Sequence, residues 1–483
     1  MITLHDVKVW DTGEVIDLVI PGTAADLLTD ANRPFPPAAA QVADGDVHID
    51  ATGLTVAPGL ADPHVHFRDP GQTAKETMVS GCAAAASGGY TNVLIMPNTV
   101  PAMDGEKVAA GQPGADEVLA AGHDCVIDFL QHYEADHGVT LPVAYDLCVC
   151  ASKDRAGKEP TELADIAWYM PGRHTGEKDA AQLAHPVTAV SDDGSAVPDA
   201  ILDEVLTRIK DAGLYLIEHC EHHDTGFINE GPVSRRLGLP GIPEDTELRI
   251  VARDIEAARR TGAHVHFQHV STAGSFEAIR KAKAEGLPIT CETAPHYIAL
   301  TDEAILEYGP LSKMNPPLRS AADRQAVHAA IADGTVDLIA TDHAPHTMEE
   351  KNAGLEAAPN GIIGLECAYG VCHKVLVDGG IISEQRLIEL MATAPMHLMG
   401  HTPTDVAGLL NTSSACATKR TLDLGAVEHP ESVNLVILDT DRSWTVEPER
   451  FHSKARNTPF GGWQVTGMPL ATVIASKLVF SRL

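Results

Sequence analysis

The chain has 483 residues, 44% of them hydrophobic, which is enough to bury one large α/β core with a smaller satellite. Its 35 Lys and Arg stand against 67 Asp and Glu, a formal net charge of −32, which excludes non-specific binding to nucleic acid or an anionic membrane. Any anionic ligand must therefore be drawn in by local positive charge. Nine cysteines, without paired spacing other than Cys148-x-Cys150, read as reduced core thiols. No apolar run approaches the ~18 residues of a membrane span, and no basic segment followed by an apolar one opens the chain, so the expectation is a cytoplasmic protein.

In chain order, residues 2–10 and 15–20 alternate apolar and polar like half-exposed strands around the turn residues Asp11-Thr12-Gly13. The Pro- and Ala-rich stretch 32–43 reads as an irregular loop before the strand pattern resumes at 47–49. From residue 56 to about 395 the pattern changes to apolar β-rich runs separated by helical segments, as in parallel strands with crossover helices. Eight strands are expected, at 56–66, 91–96, 145–151, 186–191, 214–219, 264–270, 288–292 and 336–341. Between the fourth and fifth, Ile201, Leu202, Val205, Leu206 and Ile209 share one helical face, with Asp199 expected to cap the start and Gly213 the end.

Eight such units make a (β/α)8 TIM-type barrel. Residues 401–483 return to short strands, at 433–438 and 471–480, expected to join the N-terminal strands in one small composite β domain built from both chain ends. The expected division is 1–56 and 401–483 for that small domain and 57–400 for the barrel.

Chemistry in such barrels sits at the C-terminal ends of strands. Here those ends carry His64 and His66, Asn98, Asp192 and Asp193, His219, His269, and Asp342. His64 and His66, one residue apart on an extended strand, point the same way, so both imidazoles can reach one metal ion. Burying so many imidazoles and carboxylates at one mouth is costly without a metal or mutual pairing. His264 and His266 also form a His-x-His, but they alternate with the core residues Val265 and Phe267 and lie farther from the strand end, so they are left out of the metal set.

Several motifs in order carry a family resemblance: the run from Asp62 through His64, His66 and Arg68 to Gln72, Met96-Pro97-Asn98-Thr99, Gln268-His269-Val270-Ser271-Thr272, Asn315-Pro316-Pro317-Leu318-Arg319, and Ala340-Thr341-Asp342-His343-Ala344-Pro345-His346 with Lys351. Together they resemble the dihydroorotases of the amidohydrolase superfamily, bacterial class I type. The resemblance runs from about residue 45 to 400 and continues more weakly through Asn457-Thr458-Pro459-Phe460-Gly461. It implies a metal-dependent cyclic amidohydrolase of pyrimidine biosynthesis that interconverts N-carbamoyl-L-aspartate and L-dihydroorotate.

The resemblance also implies two zinc ions per subunit. His64, His66 and Asp342 would hold one, His219 and His269 the other, and Asp193 would bridge them. Asp192 stays open as the bridge if the register is off by one, and Lys153 is the rival where a carboxylated lysine would serve. Asp342 is the implied general acid/base. Arg68, Asn98 and His346 would clamp the substrate carboxylate, with His66 beside them, while Asn315 and the backbone around Asn360 and Gly361 would contact the ring amide. An arginine fork suits a carboxylate because it can bind both oxygens. The implied partners are the small-molecule substrate, further copies of the chain in a homo-oligomer, and aspartate transcarbamoylase.

Two features depart from the family. Residues 411–420, Ser/Thr-rich with Cys416, look like an insertion, and Asn360 stands where an aromatic residue is common. The competing readings are a hydantoinase- or allantoinase-type ring opener and an inactive barrel serving as scaffold. The complete ligand set speaks against the scaffold. Arg68 and Asn98 speak against a ring without a carboxylate.

Overall fold

The computed structural model describes residues 1–28, 40–43, 45–171, 183–222, 225–411 and 419–483. Most of the loop expected at 32–43 and of the insertion expected at 411–420, Cys416 included, lies outside them. The part of that loop that is described, Ala40–Ala43, is a strand rather than irregular chain, because it pairs antiparallel with Asp46–Asp50.

Eight parallel strands form one sheet in simple chain order: Leu60–Val65, Tyr90–Ile95, Ala144–Val149, Val187–Val190, Tyr215–Glu218, Val265–Phe267, Ile289–Thr293 and Leu338–Ile339. A parallel bridge between Val65 and His343 and a 2.9 Å bond from the His66 amide to the His343 carbonyl close the last strand onto the first. Every residue of the first two strands is buried, as expected for strands covered on both faces. The strands are shorter than the apolar runs predict, most clearly the last. The chain leaves the ladder early where it turns to present reactive side chains, and Arg68, His269 and Asp342 there adopt φ of 61°, 36° and 49°. Left-handed backbone at a non-glycine residue costs about 1–3 kcal/mol and persists where the surroundings impose it.

A nine-stranded second sheet contains strands from both chain ends. The run expected as one strand over 56–66 belongs to both sheets. Leu54–Pro58 pairs with Ile2–Val9 and with Leu435–Thr445 in the second sheet, whereas Leu60–Val65 opens the barrel. The break falls at Gly59, where an added Cβ would lie 2.2 Å from Thr91 Cγ2, so only glycine passes between the layers. The strand expected over 471–480 is likewise two, Gln464–Ile474 and Lys477–Ser481, turning through Ala475 and Ser476.

Helix Asp199–Ala212 buries Ile201, Leu202, Val205, Leu206 and Ile209 and ends on Gly213 at φ 75°, as the periodicity predicts. Its N-cap is Pro198 rather than Asp199. The Asp199 carboxylate instead accepts from Arg253 of helix Asp245–Thr261 at 2.8 Å, a pairing that a local pattern cannot reveal.

The eight described cysteines are buried and unpaired. Among the described residues no helix is long and apolar enough to cross a membrane.

Candidate active site

The expected site residues converge at the mouth of the barrel. A cavity of about 120 Å³ there is lined by His66, Arg68, Asn98, Asp193, His219, His269, Asn315, Asp342, Asn360 and Gly361, together with Gly194 and Ala344. His64 lies behind it, fully buried. His346, expected in the substrate clamp, does not line the cavity: it sits behind the Asn360 and Gly361 wall, with Nε2 2.8 Å from the Asn360 carbonyl.

Two carboxylates sit among four imidazoles. His66 Nε2 lies 3.1 Å from Asp342 Oδ1 and 3.5 Å from Asp193 Oδ2, and His64 Nε2 lies 3.4 Å from Asp342 Oδ1 and 3.5 Å from Asp193 Oδ1. On the other side His219 Nδ1 is 3.6 Å from Asp193 Oδ1 and 3.0 Å from His269 Nε2. Asp193 thus faces both halves. Asp192 does not, since it accepts from the amide and hydroxyl of Ser152. Lys153 points away and pairs with Glu106 at 2.8 Å, more than a third exposed. His264 and His266 also stay outside the cluster, each bonded to the Thr290 hydroxyl.

The hydrogen bonds behind the imidazoles test whether a metal fits. The Asn98 amide donates to Asp193 Oδ2 at 3.1 Å, which leaves Asn98 Oδ1 to accept from His66 Nδ1 at 2.8 Å. Glu292 Oε1 accepts from His64 Nδ1 at 2.7 Å. With Nδ1 of each ring donating behind it, both imidazoles turn Nε2 toward carboxylate oxygens, an arrangement that a metal cation held between them would satisfy. His64, His66 and Asp342, and again His64, Asp193 and His269, bring their ligand atoms within 4.8 Å of one another. Imidazole nitrogen with carboxylate oxygen is a donor set suited to zinc and other first-row divalent metals.

The electrostatics agree with a cation-binding cluster. Burial alone raises a carboxyl pKa, yet the surrounding imidazoles hold Asp193 and Asp342 well below the usual carboxylate range. Burial, helped by the neighbouring His219, pushes His269 down to about 3, keeping it neutral and able to donate a lone pair.

Arg68 is buried at the same mouth, and burial brings its guanidinium down to about 10. Its Nε has no hydrogen-bond partner, and no carboxylate among the described residues comes within ion-pair distance. A buried cation left open toward a cavity is poised to receive an anion. Asn315 bonds to His219 Nε2 at 3.0 Å and leaves its buried Oδ1 unpartnered.

Some contributors carry no local signal. Glu292 joins His64 to His266, which it meets through Oε2 at 3.0 Å; a charged residue inside an otherwise uncharged strand was the available clue. Asn457 returns from the C-terminal segment to the mouth, donating to the carbonyls of Ala344 and Gly361 and accepting from the His346 amide. Residues around it therefore serve the barrel as well as following the second sheet.

Comparison with known proteins follows the same line. The model of the amidohydrolase family matches residues 55–479. A dihydroorotase of Pelotomaculum thermopropionicum is 39% identical over 440 residues, covering 89% of this chain and 88% of the relative. One of Lactiplantibacillus plantarum is 37% identical, covering 99% of this chain and 98% of the relative. The chain belongs to the dihydroorotases of the amidohydrolase family. Among solved structures, it is similar to L-hydantoinase (dihydropyrimidinase) from Arthrobacter aurescens, with a TM-score of 0.70 at 23% identity over 100% of this chain and 96% of that one. Dihydropyrimidinase from Brevibacillus agri gives 0.69 at 19% identity, over 99% and 95%. At those identities the likeness speaks for the shared fold.

Proposed function

We propose that this chain is a zinc-dependent dihydroorotase that interconverts N-carbamoyl-L-aspartate and L-dihydroorotate in pyrimidine biosynthesis. The observation that carries the reading beyond the family is Arg68, a buried guanidinium without a counterion beside the imidazole-carboxylate cluster. A dihydroorotate ring carries a carboxylate for it, whereas a hydantoin or allantoin ring does not.

In this reading His64, His66 and Asp342 would hold one zinc and His219 and His269 a second, with Asp193, which faces both groups, as the residue they would share. Bound zinc supplies Lewis-acid charge that polarises the ring carbonyl and lowers the pKa of the attacking water. Arg68 and Asn98 bind the substrate carboxylate, with His66 alongside, while Asn315 and the backbone at Asn360 and Gly361 orient the ring amide. Asp342 Oδ1 faces His64 and His66, which leaves Oδ2 to take the proton of the attacking water. The carbonyl carbon gains the water oxygen, the carbon–nitrogen bond breaks, and Asp342 delivers its proton to the departing ring nitrogen. Cyclisation runs the same steps backwards.

The proposal extends to a cytoplasmic homo-oligomer that associates with aspartate transcarbamoylase, a part that rests on the family resemblance. The test of the activity is to incubate zinc-loaded protein separately with dihydroorotate, hydantoin and allantoin and to follow ring opening. Turnover of dihydroorotate with little of the other two is expected; preferential opening of hydantoin or allantoin would overturn it.

A further inference from the structure

Two lysines near the cavity are buried, and neither is part of the machinery above: Lys351 is 1% exposed and Lys313 6%. Neither forms an ion pair among the described residues, and both ammonium groups are engaged by backbone carbonyls. Lys351 Nζ donates to Pro359 and Gly361 at 2.9 Å each and to Lys313 at 3.3 Å. Lys313 Nζ donates to Ala358 at 2.7 Å and to Glu356 at 3.4 Å. The Asn360 carbonyl, between two of these, is met by His346 Nε2. The Gly361 amide in turn donates to the Lys313 carbonyl at 3.0 Å, so Gly361 is tied to Lys313 directly and through Lys351, whose ammonium meets the carbonyls of both.

Asn360 and Gly361 line the cavity, and Asn315, two residues after Lys313, lines it beside His219. The lysines themselves do not. Gly361 has φ +116°, and an added Cβ would stand 2.6 Å from that of Ala344, so this stretch has no slack of its own and depends on what holds it. Burying two ammonium groups is expensive, and burial with the neighbouring Lys313 charge brings Lys351 down to about 7. A structure retains such a cost where the hydrogen bonds achieve something that apolar packing would not.

We infer that Lys351 and Lys313 are substrate-positioning residues: by holding the carbonyls of Glu356, Ala358, Pro359 and Gly361 they fix Asn360 and Gly361 as the cavity wall and couple that wall to Asn315. The inference rests on the dihydroorotase reading only for the choice of assay substrate. It predicts an effect on substrate binding that leaves the metal cluster alone, since none of the carbonyls concerned belongs to a proposed metal ligand.

The test uses zinc-loaded Lys351→Met and Lys313→Met, with metal per subunit, kcat and KM for dihydroorotate, and amide hydrogen exchange measured on each. Lys351→Met should keep the wild-type metal content, raise KM about 10- to 100-fold with a much smaller change in kcat, and speed exchange selectively in peptides covering 356–361. Lys313→Met, which frees only the two outer carbonyls, should do the same to a smaller degree and carries the test if Lys351→Met does not fold. Unchanged KM and exchange in both, or metal loss accompanying the rise in KM, would overturn the inference. Wild-type protein that leaves dihydroorotate intact would overturn the proposed function instead, while the exchange measurement would still decide whether the lysines hold the wall.

Discussion

Glu292 offers a sharp test of how the metal cluster is built. It is buried and bonds two imidazoles, His64 Nδ1 at 2.7 Å and His266 Nε2 at 3.0 Å. Burial opposes its ionisation, but its two imidazole partners, His64 foremost, hold it at about 2, so it is ionised at any ordinary assay pH. Glu292→Gln keeps the shape. The glutamine oxygen can still accept from His64, and its amide can face His266 if that ring moves its proton to Nδ1, where the Thr290 hydroxyl can accept it. What is lost is the charge that makes His64 a stronger donor through Nε2. Loss of an outer-shell partner costs about 10- to 100-fold in metal affinity. Gln should fall near the lower end, about 1.4 kcal/mol, and Ala, which also orphans two buried N–H groups, near the upper end, about 2.7 kcal/mol. Chelator competition at pH 7 should show one metal equivalent, the one His64 holds, weakening before the other. Unchanged affinity in Glu292→Ala, or equal weakening of both equivalents, would refute the reasoning.

Asp342→Asn should retain metal at reduced affinity and lose about 10²- to 10⁴-fold in both ring opening and ring closure, measured side by side; more than a tenth of the rate at any pH would move the proton transfer to another group. Asp193→Ala should lose metal while Lys153→Ala keeps it, and activity in bicarbonate-free buffer should not respond to added CO2; the reverse result would make Lys153 the bridge. Far from the mouth, His401 bonds Asp146 at 2.7 Å, and that bond, against burial, raises the histidine above its usual value. A raised pKa stabilises the fold fully below about pH 6.5 and loses that contribution as pH rises through the raised value. Burial raises the Asp146 carboxyl, so the pair also fades once pH falls far enough to protonate it; the Tm deficit of His401→Gln should be largest at mildly acid pH and shrink as pH rises from there, and a deficit that grows with pH above 6.5 would contradict the assignment.

What could be read from the sequence was whatever follows from local periodicity. The buried face of Asp199–Ala212 shows in its spacing, and the His and Asp residues stand out because each ends an apolar run. The break at Gly59 did not show, because Leu54–Pro58 and Leu60–Val65 are both apolar and only their partners differ. What Glu292, Lys351 and Asn457 do was opaque for a related reason, although Lys351 and Asn457 stand in motifs that carry the family resemblance. Each acts on chain distant in sequence, as when Asn457 reaches back 113 residues to Ala344, and no spacing rule records such a contact. Asp199 misled in the opposite direction: its type fits a cap, but a neighbouring helix supplies a stronger partner.

The account turns on Arg68 as the reader of a substrate carboxylate, and the most direct measurement compares dihydroorotate with dihydrouracil, the same ring without that carboxylate, on wild-type protein and Arg68→Met. Loss of a buried charge-assisted pair should cost about 2 to 4 kcal/mol, or roughly 30- to 1,000-fold in kcat/KM, on dihydroorotate alone. The wild-type preference for dihydroorotate should therefore collapse in Arg68→Met while metal content and the slow turnover of dihydrouracil stay as they are. An Arg68→Met protein that keeps its preference, or that loses both substrates equally, would contradict the account.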